Sequence, residues 1–338
     1  MEKRLSGDST AEESPEVMSA VRIRGLNKHY KQVEAVKGID LDVSPGETFG
    51  FLGPNGAGKS TTINMLCTLT EPSGGTAEVA GFDVVKEREA VRRNIGLVFQ
   101  DSTLDAYLTA EENLRFHTDL YGVDKATASG RLDEVLAMVG LSERRKDLVG
   151  TFSGGMRRRL EIARGLLHSP NVLFLDEPTI GLDPQTRASI WTYIEQLHKR
   201  EKITVFVTTH YMDEAENCDR IAIMDKGRIV ALDTPDALKA GIGKDRVQIT
   251  TEDDNKAIES LKANFDLDAA VHEGQVTISV AEGAEFVPHL FEKLGVHILS
   301  VTVQRPSLDD VFLSYTGTTL RDAESMTAFT RRPIRRRR

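Results

Sequence analysis

The sequence predicts an α/β fold: a mixed sheet, mostly parallel and covered on both faces, with added antiparallel strands and a helical subdomain, followed by a small α+β domain. Three observations predict it. Short apolar runs at Thr48–Leu52, Ile95–Phe99, Val172–Leu175, Ile203–Val207 and Ile221–Met224 are separated by longer stretches, the pattern of strands buried in a parallel sheet. Near the start, Val21-Arg-Ile-Arg24 and Ile39-Asp-Leu-Asp-Val43 alternate apolar and charged residues, which suits half-buried antiparallel strands. From about Thr109 to His168 the period becomes helical, with Leu114, His117 and Leu120 in one set and Leu132, Val135, Leu136 and Val139 in another.

Bulk properties set the frame. A length of 338 residues fits one large domain and a smaller one, and 40% hydrophobic with 28% charged residues is globular. A net charge of -9 argues against a general nucleic-acid binder. Cys67 and Cys218 are far apart and lack His or Cys neighbours, so neither a disulfide framework nor a metal cluster is expected, and a reducing cytosol is the simplest compartment. No apolar run approaches the ~18 residues needed to span a bilayer.

Along the chain, residues 1–18 are polar and acidic and read as a disordered extension. A large domain follows over 19–240. In it Pro45-Gly46 turns the chain into the Thr48–Leu52 strand, a helix is expected from Ser60 to Leu69, and the helical subdomain occupies about 101–168. Another helix is expected from Asp183 to Lys199. A boundary falls near Gly241–Asp245. The small domain, 241–316, reads as strand (Val247–Thr250), helix (Asn255–Ala263), strand (Val276–Val280), helix (Glu285–Leu294), strand (Ile298–Val303) and short helix (Leu308–Tyr315). A polar tail, 317–338, ends in Arg331-Arg-Pro-Ile-Arg-Arg-Arg-Arg338. It reads either as a solvated end or as a segment drawn to anionic lipid at ~1 kcal/mol per charge.

Three motifs carry chemistry. Gly53, Pro54, Asn55, Gly56, Ala57, Gly58, Lys59 and Ser60, followed by Thr61, match the P-loop pattern between a buried strand and a helix. The glycines let main-chain N–H groups close on phosphate oxygens, and the helix N-terminus favours anions. Lys59 is placed for the β- and γ-phosphates of a nucleotide, and the Ser60 hydroxyl for Mg²⁺. Next, the apolar run Asn171–Leu175 delivers Asp176 and Glu177 at a strand's carboxyl end, where Asp176 would hold Mg²⁺ and Glu177 would polarise the attacking water. Third, Ser153, Gly154 and Gly155 open a helical stretch, with Ser153 as N-cap and free N–H groups behind it, which reads either as a plain helix start or as a second phosphate-binding terminus.

In this order, together with Gly181-Leu-Asp183 and His210, these motifs resemble those of an ABC-type ATPase domain over roughly Val21 to Leu238. The resemblance implies that Tyr30 stacks on adenine, that Gln100 senses Mg²⁺ and the membrane partner, that His210 contacts the γ-phosphate, and that Asp183 lies at a subunit interface. It implies ATP and Mg²⁺ as cofactors. It also implies a head-to-tail pair in which each ATP sits between one chain's P-loop and the other's Ser153–Gly155, and a separate membrane permease, with this chain peripheral on the cytoplasmic side. Met156 and Phe152 stand where many members have Gln and Leu. Ser153-Gly-Gly-Met-Arg-Arg-Arg-Leu160 and Pro306-Ser-Leu-Asp-Asp-Val-Phe-Leu313 are similar instead to the daunorubicin/doxorubicin drug-resistance exporter ATPase subfamily, implying export of a drug, antibiotic or other hydrophobic compound. An importer ATPase with a regulatory C-terminal domain and a soluble non-transport ATPase stay open as alternatives.

Overall fold

The alternating segments at the start of the chain pair with each other. β1 (Val21–Tyr30) runs antiparallel to β2 (Val33–Val43), and Val21, Ile23 and Leu26 are buried with Ile39, Leu41 and Val43. The computed structural model describes residues 19–272 and 275–317. The 1–18 extension and the arginine cluster 331–338 lie outside the described residues.

β3 (Thr48–Leu52) is buried throughout and runs into the glycine loop and α1 (Lys59–Leu66). That helix stops before the expected Leu69 because Thr68 takes a left-handed φ of 62°, turning the chain. β4 (Gly74–Val79) and β5 (Phe82–Asp83) then complete an antiparallel sheet in the order β2-β1-β4-β5. α2 (Arg88–Asn94) leads into β6 (Ile95–Val98).

The helical region resolves into α3 (Ala110–Tyr121), α4 (Lys125–Met138) and α5 (Gly154–Gly165), with short 3₁₀ turns between the last two. Thr109 and Glu112 form a capping box at the start of α3, and Gly122 ends it at φ 66°. Leu114 is buried as its spacing predicts, but Leu120 is 65% exposed.

The second sheet adds β7 (Val172–Asp176), β8 (Thr204–Thr209), β9 (Arg220–Asp225) and β10 (Arg228–Asp233), with α6 (Pro184–Glu201) and the single turn α7 (Met212–Ala215) between them. Its order is β10-β9-β3-β8-β7-β6, parallel except for β10. Side-chain alternation gives it two apolar faces. Phe49, Phe51, Phe174 and Phe206 lie on one face, with ring centres 5.0–5.7 Å apart, in a cluster with Ile23, Leu41 and Val79 of the antiparallel sheet. Leu52, Leu173, Leu175, Val205 and Val207 fill the other face against Leu160 of α5 and Ile190 and Ile194 of α6.

α8 (Pro235–Ile242) leads to β11 (Asp245–Thr251), α9 (Asp254–Phe265), β12 (Ala269–His272), β13 (Gln275–Val280), α10 (Gly283–Lys293) and β14 (Ile298–Gln304). These strands form an antiparallel sheet ordered β12-β13-β11-β14, with Val247, Ile249, Val276 and Ile278 packed against Leu261 of α9 and Leu290 of α10. The last helix, α11 (Leu308–Thr316), packs on α8 and β10 and buries Leu308, Val311 and Phe312 in the same apolar cluster as Leu238.

Candidate functional site

Parallel registry brings the candidate residues to one edge. Leu52 pairs with Thr209, Asp176 with Thr208 and Val98 with Leu175, so the loops after β3, β6, β7 and β8 all leave from the carboxyl side of the sheet. Ligands of open parallel sheets bind at that side.

The loop after β3 needs its glycines. A Cβ on Gly53 would stand 2.2 Å from the Met224 carbonyl oxygen, and Gly58 sits at φ 110° with the Ala35 carbonyl oxygen 2.6 Å from where its Cβ would be. The Gly227 N–H donates to the Ala57 carbonyl at 2.8 Å and anchors the loop from the far side. Pro54 and Ala57 are buried, Asn55 and Gly56 are exposed at the crest, and Thr61 is half-buried in the first turn of α1.

Lys59 is only 4% exposed. Its ammonium donates to the Gly53 carbonyl at 2.6 Å and the Pro54 carbonyl at 3.2 Å, and lies 3.4 Å from Glu177 Oε1. Ser60 Oγ donates to Asp176 Oδ1 at 3.0 Å, and Thr208 Oγ1 donates to the same oxygen at 2.5 Å. The Thr208 hydroxyl also accepts from the Glu177 N–H at 3.0 Å, so one β8 residue fixes both acids.

Glu177 occupies left-handed backbone space at φ 46°, an unfavourable conformation for a non-glycine residue and one found at functional sites. His210 Nδ1 lies 3.4 Å from its Oε1, while its Oε2 is buried without a hydrogen-bond partner among the described residues. The two neighbouring acids are tuned in opposite directions. Burial raises the Asp176 carboxyl above its ordinary value, helped by the Glu177 charge, against the hydrogen bonds of Thr208 and Ser60 and the charge of Lys59. At Glu177, burial is the largest single influence and pushes upward, but His210 and Lys59 together outweigh it and hold the carboxyl below its ordinary value.

Other expected residues stand farther out. Tyr30 ends β1 with 44% exposure, and the Lys28 ammonium is 5.1 Å from its ring centre. Gln100 is exposed on the loop after β6. Ser153 caps α5 by accepting from the Met156 N–H, and Asp183 caps α6 by accepting from Thr186. These two helix starts touch, since a Cβ on Gly155 would meet Thr186 Cγ2 at 2.5 Å and one on Gly154 would meet Leu182 Cδ2 at 3.2 Å. Ser153, Gly154 and Asp183 are exposed, and no hydrogen bond joins Ser153 or Asp183 to Ser60, Asp176 or Glu177 among the described residues.

Two contributors were not expected from sequence. Thr208 reads only as the end of an apolar strand. Glu214 is 2% exposed and accepts from the hydroxyls of Thr179 and Thr209, joining the turn after Glu177 to the loop that carries His210. Beside Asp213 in a polar stretch, it gives no sign of burial in the sequence.

A family model described as "ABC transporter" matches residues 36–180, and one described as "ATP-binding protein DrrA1-3-like, C-terminal domain" matches 234–316. The linearmycin resistance ATP-binding protein LnrL of Bacillus subtilis is 40% identical over 89% of this chain and 100% of its own. The daunorubicin/doxorubicin resistance ATP-binding protein DrrA of Streptomyces peucetius is 40% identical over 88% of this chain and 92% of its own. Among solved structures, the dimeric post-hydrolysis state of the ATP-binding cassette MJ0796 bound to ADP and Pi superposes with a TM-score of 0.58 at 29% identity, covering 63% of this chain and 98% of that one. With the P-loop, the paired acids and near full-length similarity in hand, this chain belongs to the ATP-binding subunits of ABC transporters, among relatives of the drug-resistance type.

Proposed function

We propose that this chain hydrolyses ATP to ADP and phosphate and thereby drives a separate membrane permease that exports a drug, antibiotic or other hydrophobic compound. The observation that carries the catalytic reading is the convergence of Lys59, Glu177 and His210 beside the Ser60–Asp176 pair. The P-loop N–H groups and Lys59 would take the phosphates, Tyr30 the adenine, and Ser153–Gly155 and Asp183 the phosphate side and interface of a second copy. The Ser60 hydroxyl and Asp176 carboxylate are hard oxygen donors of the kind Mg²⁺ takes, with Gln100 as the third candidate. When bound, Mg²⁺ supplies charge neutralisation on the phosphates. Glu177, ionised at neutral pH, accepts a proton from the water that attacks the γ-phosphorus as the bond to the ADP oxygen breaks, and His210 keeps that carboxylate oriented.

Each chain holds one copy of each motif, and the exposed Ser153–Asp183 surface suits a head-to-tail pair that closes on two ATP and opens after hydrolysis. Among the described residues no helix is long and apolar enough to cross a membrane. A cleft of 820 Å³ between α2, β6 and α3 exposes Leu69, Phe99, Phe116, Leu120 and Tyr121. We assign it to the permease, with the chain peripheral at the cytoplasmic face; exposure of Leu120 at an apolar-stripe position then has a use. Glu177→Gln should leave ATP affinity within about threefold, cut steady-state hydrolysis at least ~100-fold, and accumulate an ATP-bound dimer on size-exclusion chromatography. Turnover at the wild-type rate would remove Glu177 as the base.

A further inference from the structure

Arg158 lies on α5, five residues past its N-cap Ser153, and is 6% exposed. Nε donates to the Pro178 carbonyl at 2.5 Å, and Nη1 donates to the Phe99 carbonyl at 2.5 Å and to Glu161 Oε2 at 3.0 Å. Nη2 donates to the carbonyls of Asp176 and Glu177, each at 3.2 Å. One guanidinium therefore gathers the carbonyls of three consecutive residues, Asp176, Glu177 and Pro178, with a fourth from the strand end just before Gln100. Glu161 completes the clamp: its second oxygen accepts from the Thr103 N–H at 3.0 Å.

The arrangement answers a specific need. Glu177 is held at a positive φ of 46°, which an L-residue leaves unless its surroundings fix it. Three carbonyls turned toward one cation fix that turn. A buried guanidinium is costly unless every donor direction is used, and this one is spent mainly on main-chain oxygens beside the acid pair. A planar fork reaches Phe99 on one side and Asp176–Pro178 on the other, which the single ammonium of a lysine does not.

We infer that Arg158 is a positioning residue for hydrolysis, holding the Asp176–Pro178 turn so that the Glu177 carboxylate stays between Lys59 and His210. Because Arg158 stands on the helix that begins at Ser153–Gly155, the placement of Glu177 is tied to the surface that would meet the second copy's nucleotide. The inference rests on the reading of Glu177 as the base.

The test uses the full chain as Arg158→Lys and Arg158→Gln. Each is assayed for kcat and KM, for affinity toward a fluorescent ATP analogue, and again in the Glu177→Gln background under single-turnover conditions. The expected result is a loss of about 100-fold in kcat for both variants, with KM and nucleotide affinity within about threefold. In the Glu177→Gln background, adding either substitution should change the residual rate by less than about twofold, since no carboxylate remains to position. Arg158→Lys keeps a cation and most of the side-chain volume, so it carries the test if Arg158→Gln does not fold. A kcat within about threefold of wild type, a parallel fall in affinity and kcat, or a full multiplicative loss on top of Glu177→Gln would each overturn the inference. Normal turnover by Glu177→Gln alone removes instead the base assignment, a separate result.

Discussion

Asp176 and Glu177 are adjacent acids whose acidities are shifted in opposite directions because their neighbours differ. Asp176 is buried with two hydroxyl donors on one oxygen and its acidity is weakened. Glu177 faces Lys59 and His210 and its acidity is strengthened. A carboxyl whose folded-state pKa is raised contributes stability that is fully present below its unfolded value and is lost as pH rises through the folded value. At neutral pH Asp176 therefore lowers the stability of the nucleotide-free chain. Asp176→Asn should raise the melting temperature at pH 7, with the gain shrinking as the pH is lowered toward 4, while hydrolysis falls at least ~100-fold. Thermal melts across pH check the first part and phosphate release the second. A variant less stable than wild type at pH 7 but not at pH 4 would reverse the sign and refute the assignment.

At the scale of elements, the joint between α5 and β6 is a close backbone contact near the site. A Cβ on Gly96 would stand 2.3 Å from the Gly165 carbonyl oxygen and 2.9 Å from Leu173 Cδ1, so a methyl there must push α5 off the sheet. Gly96→Ala should cost about 2–3 kcal/mol in urea unfolding; a cost below about 0.5 kcal/mol would show that the joint has slack. This joint also marks where sequence reading stops. Strands such as Val172–Asp176 are legible because burial of the whole strand leaves an unbroken apolar run, Val172–Leu175, ahead of Asp176. The P-loop is legible because its glycines answer local backbone demands. β4 and β5 are not, since Gly74–Val79 buries only Ala77 and Val79 and carries no apolar run. Arg158 and Glu214 are hidden for another reason: charged residues read as solvated, and only tertiary partners reveal them as buried. The spacing Gly155, Arg158, Glu161, Arg164, Gly165 held the available hint, a buried stripe along α5 in which an alternating charge run sits between glycines.

Across the whole molecule, the chain leaves the first core through α8 and returns to it through α11, so the β11–β14 sheet is a loop of structure fixed at both ends to one place. Phe312 is fully buried there, in the same apolar cluster as Leu238 and Trp191. Trp191 is the only tryptophan in the sequence, and it belongs to α6 of the first core, so its fluorescence reports on that core alone. If α11 is part of the core's packing and not an appendage, Phe312→Ala removes buried area and leaves a cavity that the core itself must absorb. The expected loss is about 3–5 kcal/mol, read as a lower urea midpoint of the Trp191 signal with an unchanged slope. Circular dichroism should shift by the same amount, because the two ends of the smaller sheet and the core would unfold together. A Trp191 midpoint that stays put while the dichroism midpoint falls would show that α11 and the small sheet open separately, and that the return to α8 adds nothing to the ATP-binding core.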